Sequence, residues 1–179
     1  MQAHITIYKQ ISMATIATVK GKSPSWGKNC FIADNATLAG DIVMGDDCSI
    51  WYGAVLRADV DAIRIGNRVN VQDNACIHQT TGFPVTLEDD VSVGHGAIVH
   101  AATVHKGALI GMNAVVLDGC EIGENAIIAS GAVLLEGTKV GANEMWAGIP
   151  AKFVKKEDPA KAKMFAEHYM YIKEWYREK

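Results

Sequence analysis

From Ile32 onward an apolar residue returns at every sixth position, and no other feature of the chain constrains its fold as tightly. The series runs Ile32, Leu38, Met44, Ile50 and Leu56, resumes after a short insertion at Ile65, Val71 and Ile77, and after a second at Leu87, Val93 and Val99. One shortened step follows, and Val104, Ile110, Val116, Ile122, Ile128, Leu134, Val140 and Trp146 then keep register. Four residues beyond most of these stands a small or β-branched residue, as at Ala36, Cys48, Ala54, Ala97, Ala114 and Ala126. A period of six fits neither a helix nor simple strand alternation. Two inward residues in six describe a short strand, a corner and the next short strand. Stacked hexads of this kind bury a continuous column of side chains that no single coil could bury alone. Composition agrees, with 33 Ile and Val against 7 Leu, a bias toward pleated backbone.

The fold class expected is therefore an all-β solenoid with three hexads per coil. About nineteen rungs make roughly six coils. The pattern resembles the hexapeptide repeat of left-handed parallel β-helices, and the handedness is what that resemblance implies, because parallel crossovers are otherwise right-handed. The tail changes character. Asp158-Pro159 offers a helix N-cap and a first-turn proline. Met164, Phe165, Tyr169, Ile172, Trp175 and Tyr176 then recur every three to four residues, which predicts one amphipathic C-terminal α-helix over roughly 159–177. The division expected is 1–22 as N-terminal extension and lead-in, 23–156 as the β-helix domain, and 157–179 as a helix packed on it. Met1–Ser12 reads as an extension without a core role.

With 17 Lys and Arg against 20 Asp and Glu, the chain lacks the basic excess that nucleic acid or an anionic membrane requires. No apolar run approaches membrane-spanning length, and no basic segment leads into an apolar core at the start. Cys30, Cys48, Cys76 and Cys120 form no CxxC pair, and Cys30, Cys48 and Cys120 occupy small inward slots as inert core thiols. A cytoplasmic protein with no nucleic-acid or membrane partner is expected.

The rungs also fix neighbours. A residue stacks on its counterpart three rungs earlier, about 4.8 Å away. Leu56, Ile77 and Val99 form one such column, so Arg57, His78 and His100 stack on one edge, while Asp73 and His95 stack in a second column. Two imidazoles one strand spacing apart can share a metal ion, since zinc–nitrogen bonds are about 2.0–2.1 Å. His95 precedes His100 by five residues, up to roughly 16 Å of extended chain with a corner between. It cannot join the pair within one subunit, but it could do so across a threefold interface. One coil lower, the same interface would set Arg57 opposite Asp73, with Asp59 able to share the arginine.

The segments Ile50-Trp51-Tyr52-Gly53-Ala54-Val55-Leu56-Arg57-Ala58-Asp59, Ile65-Gly66-Asn67-Arg68-Val69-Asn70-Val71-Gln72-Asp73, Ile77-His78 and Val93-Gly94-His95-Gly96-Ala97-Ile98-Val99-His100 resemble the γ-class carbonic anhydrase family. The resemblance covers about residues 13–156. It implies a homotrimer with metal at each interface: His78 and His100 from one subunit, His95 from its neighbour, and Arg57, Asp59 and Asp73 as the interface ion pair. Asn70 and Gln72 would approach the metal-bound solvent as catalytic residues. The implied reaction is reversible hydration of carbon dioxide to bicarbonate by a metal-bound hydroxide, with zinc first and ferrous iron or cobalt equally acceptable to three imidazoles. Where well-studied members carry an acidic loop with a glutamate shuttle, this chain has only Gln79-Thr80-Thr81-Gly82-Phe83-Pro84, so no shuttle residue carries over. Two other classes fit a hexapeptide solenoid: a CoA-dependent acyl- or acetyltransferase with a histidine base, and a non-catalytic metal-binding trimeric scaffold. His4, His105 and His168 read as structural or solvated, and Tyr169 or Tyr171 as able to reach a neighbouring site.

Overall fold

The computed structural model describes residues 14–176; the extension expected over Met1–Ser12, with His4, lies outside them. Strands mostly two or three residues long follow one another around the corners of a triangular prism, each pairing in parallel with the strand one coil before and one coil after. The first face holds Cys76–His78, Ile98–His100, Val115–Val116 and Val133–Leu134. The second holds Val85–Leu87, Thr103–Val104, Glu121–Ile122 and Lys139–Val140. Two long strands, Thr37–Met44 and Val55–Ile65, turn the corner between these faces and fuse them into one sheet. The third face runs from Phe31–Ile32 through Asn70–Val71, Ser92–Val93 and Leu109–Ile110 to Glu144–Gly148, where Ala151–Lys156 folds back antiparallel. The fold is a left-handed parallel β-helix closed by one C-terminal helix.

The hexads do what their period requires. Leu38, Leu56, Ile77, Val99, Ile122 and Ile128 are fully buried, and so are Ala36, Ala54, Ala75, Ala97 and Ala114 at the narrow corner positions. Each buried Leu, Ile or Val contributes about 1.5–3 kcal/mol by leaving water. There are about seven coils rather than six. The additional one is built by Thr15–Ala17 and Ser25–Trp26, which pair with the two halves of Thr37–Met44. With no coil outside it among the described residues, Ile16 and Trp26 stay 43% and 41% exposed. The corners take left-handed residues, and one column of them is filled by Asn29, Asp47, Arg68, Asp90, Gly107, Asn125 and Asn143. Asn, Asp and Gly tolerate that region. Arg68 does not by itself, and its guanidinium is held by Asp90 at 2.6 Å and Asp89 at 3.4 Å.

Helix α1, Pro159–Ile172, starts as expected, with the Asp158 side chain accepting from the Ala160 amide; a 3₁₀ turn, Lys173–Tyr176, extends it. It runs back along the third face. Ala162 packs with Leu109 and Ile127, the Tyr169 ring meets Trp51, and Lys173 reaches Asn29 and Asp47 near the first coils. The buried stripe differs from the apolar one read in the sequence. Ala162, Ala166 and Lys173 are buried, whereas Met164 and Trp175 remain about 60% exposed. A helix laid on a sheet face approaches closely only through small residues. Lys173 is accommodated because its ammonium donates to the Asn29 and Asp47 carbonyls, each at 3.0 Å. Among the described residues no helix is long and apolar enough to cross a membrane.

Candidate metal centre

The register sets Arg57 beside His78 and His78 beside His100, so the three stack on the edge between the first and second faces. His78 Nδ1 lies 3.0 Å from His100 Nε2. The far nitrogen of each ring is engaged: His78 Nε2 by Asp59 Oδ1 at 3.1 Å, and His100 Nδ1 by Asp118 Oδ1. Asp59 is paired in turn with Arg57. Burial resists ionisation of Asp59, but hydrogen bonds from Arg57 and His78 prevail and hold its carboxyl below the usual range.

This wiring biases the tautomers. A carboxylate accepts from a ring N–H, so Asp59 favours a proton on His78 Nε2 and Asp118 one on His100 Nδ1. The two remaining nitrogens face each other, and where each ring carries its one proton on the carboxylate side, two lone pairs meet. Such a pair is repulsive unless it shares a cation. Two nitrogens at about 2.0–2.1 Å from a tetrahedral zinc stand roughly 3.3 Å apart, close to the observed spacing. The donor set therefore fits a divalent metal.

His95 sits at the other edge of the first face, in the corner that leads into Ile98–His100. Its Nδ1 is 2.8 Å from Asp73 Oδ2, as the second column requires, and its Nε2 is 3.3 Å from the Tyr169 hydroxyl. The His95 amide donates to Gln72 Oε1 at 3.2 Å, Gln72 Nε2 donates to Asn70 Oδ1 at 2.9 Å, and Asn70 Nδ2 donates to Ser92 Oγ at 2.8 Å. Asn70 and Gln72 are buried, so this relay of amides fixes the His95 corner from below. Among the described residues no three His, Cys, Asp or Glu side chains gather in one chain around a metal-sized point. One chain thus presents two imidazoles on one edge and one on the other.

Sequence reasoning passed over Asp118 and left Tyr169 without a partner. Following the His78–His100 column one coil further, along Val99 to Val116, leads to Leu117-Asp118 and could have found the first. Tyr169 is placed by helix docking and left no signal in the repeat. Burial, with the nearby Asp73 and Tyr176, pushes its hydroxyl up to about 12. Tyr171, in contrast, is 64% exposed. Beside His95 lies a cleft of about 270 Å³ lined by Gln72, Met112, Ser130, His168 and Tyr169. A larger one of about 460 Å³, lined by Arg64, Thr86, Glu88 and Lys106, contains none of the candidate residues. His105 is bracketed by Glu88 and Glu121. Of the thiols, Cys48 and Cys120 are buried and their acidity is suppressed, but Cys30 is only half-buried. A hydrogen bond from Cys48 and the charge of Lys173 lower the Cys30 thiol to about 7, while its side chain packs against the core.

Over 137 residues, 76% of this chain and 75% of the relative, the sequence is 56% identical to a carbonic anhydrase of Geobacillus kaustophilus. The chain belongs to the γ-class carbonic anhydrase-like family of hexapeptide-repeat proteins. Within the family it is 40% identical over 148 residues to the mitochondrial gamma carbonic anhydrase 2 of Arabidopsis thaliana, spanning about half of that protein's length (53%) and 79% of its own. The family's hexapeptide pattern, described as bacterial transferase hexapeptide (six repeats), matches residues 27–58 and 101–136. A solved structure of a hexapeptide transferase family protein from Anaplasma phagocytophilum superposes with a TM-score of 0.87 at 36% identity, over 90% of this chain and 98% of that one.

Proposed function

We propose that this chain forms a homotrimer that holds one divalent metal ion at each subunit interface and hydrates carbon dioxide reversibly to bicarbonate. The observation that carries the reading is the pair of imidazole nitrogens facing each other across 3.0 Å between His78 and His100. The relatives named carbonic anhydrase support it. His78 and His100 of one chain and His95 of the next would hold the ion, zinc first, with ferrous iron or cobalt also compatible. Such an ion, when bound, supplies a water acidified to about pKa 7 as the nucleophile. Asp59, Asp118 and Asp73 each engage one nitrogen of His78, His100 and His95, which orients the other nitrogen of each ring for the ion. Gln72 fixes the His95 backbone and lines the cleft beside it, where its remaining amide N–H can orient the attacking oxygen; Asn70 holds Gln72 in place. In the trimer Arg57 would reach the neighbouring chain's Asp73, placing a counter-charge beneath the site.

The test is carbon dioxide hydration by zinc-loaded protein beside His78→Ala. Equal rates in the two samples defeat the catalytic reading. Arg57→Ala should loosen the trimer and lower metal content together, and an unchanged trimer with full metal removes the interface claim. The second reading, a CoA-dependent acyltransferase, rests on the transferase name of the hexapeptide pattern and of the Anaplasma structure. Acetyl-CoA consumption that persists after chelation would favour it. A stable trimer with stoichiometric metal and no turnover would instead identify a scaffold.

A further inference from the structure

Hydration of carbon dioxide yields bicarbonate and one proton, and that proton must reach solvent before the next turnover. The corner that follows His78 cannot carry it, because Gln79, Thr80, Thr81, Gly82, Phe83 and Pro84 have no side chain that titrates near neutrality. The cleft beside His95 offers another exit. Its titratable lining groups are His95, His168 and Tyr169. Tyr169 turns its hydroxyl to His95 Nε2, and His95 is held by Asp73 on its other nitrogen and reserved for the proposed ion. His168 is the group left over. It is exposed to solvent on one side and lines the cleft on the other. Its ring stands edge-on to Tyr169, at 6.1 Å and 82°, and the Tyr169 hydroxyl is 3.3 Å from His95. The charged groups nearest it on its own helix, Glu167 and Lys163, are paired with each other at 3.4 Å.

We propose that His168, on the C-terminal helix, is the proton relay of this site, passing the proton of each hydration from the cleft to bulk buffer. The proposal rests on the carbon dioxide reading given above. The cleft has room for on the order of nine water molecules at about 30 Å³ each, enough for a continuous chain. The O–H bond of the reacting water breaks, the proton moves along that chain, and an N–H bond forms on neutral His168. The imidazolium then gives its proton to a buffer base and returns to the neutral ring. Imidazole suits the task because it changes charge closest to neutral pH. The relay is supplied by the helix, not by the solenoid whose corner would otherwise carry it.

The experiment compares zinc-loaded parent and His168→Ala. Metal content and trimer mass should match. In weak buffer kcat should fall about tenfold or more, while kcat/KM for carbon dioxide, which does not include proton release, should hold. Free imidazole should restore kcat in the variant. Independently of activity, the His168 ring followed by NMR in the loaded trimer should change charge over the pH range in which kcat of the parent rises. An unchanged kcat in weak buffer, or a ring that keeps one charge state over that range, overturns the proposal. A parent that hydrates no carbon dioxide in any buffer sinks the underlying reading and the relay with it, and the parent's rate alone tells this from a failed relay.

Discussion

His78 and His100, twenty-two residues apart in sequence, stand one coil apart with Nδ1 and Nε2 separated by 3.0 Å. Their outer nitrogens are bonded to Asp59 and Asp118, so the remaining nitrogen of each ring turns toward the other. Stacking alone would have brought the rings together in any orientation. The carboxylates select the one that fits a cation.

Asp118→Ala leaves the fold and the three histidines in place but removes the acceptor that orients His100. Metal affinity should weaken about 10–100-fold. Competition with a chromogenic chelator measures it, and parent-like affinity would show that Asp118 does not set the ring.

Ile122 is fully buried on the second face, outside the column that carries His78 and His100. Truncation to alanine opens a cavity in the closely packed column and should cost about 2–5 kcal/mol. Urea unfolding reads the cost, and metal content per folded chain should remain that of the parent.

Lys173→Met removes the buried ammonium that ties the helix end to Asn29 and Asp47 and leaves their carbonyls without a donor. A loss of about 1–3 kcal/mol is expected. Amide exchange should accelerate over 159–176 more than in the coils. Uniform acceleration would mean that the lysine serves the whole fold, not the helix attachment.

His105 lies between Glu88 at 3.0 Å and Glu121 at 3.2 Å. Burial disfavours its charged form, but the two carboxylates prevail and raise its pKa above the ordinary histidine value. A raised folded-state value means that the folded chain binds the proton more tightly. The resulting stability is fully present below about pH 6.5 and disappears as pH rises through the raised value. His105→Asn should therefore cost more at about pH 6 than at about pH 8.5. Equal losses in unfolding experiments at the two pH values would contradict the assignment.

The sequence by itself determined the solenoid, because a period of six buries apolar side chains only when coils stack, and stacking fixes who lies beside whom. Arg57, His78 and His100 in one column and Asp73 with His95 in another follow from counting rungs. The helix start at Asp158-Pro159 was equally legible, since capping is local chemistry. Only the tertiary structure decided what depends on side-chain rotation and on docking between distant segments. It turned the two imidazoles toward each other, recruited Asp118, and buried Ala162, Ala166 and Lys173 where Met164 and Phe165 had looked the better core. It also laid Tyr169 and His168 beside His95, more than seventy residues away. A repeat specifies backbone register at each coil, but it is silent about a helix that crosses several coils at once.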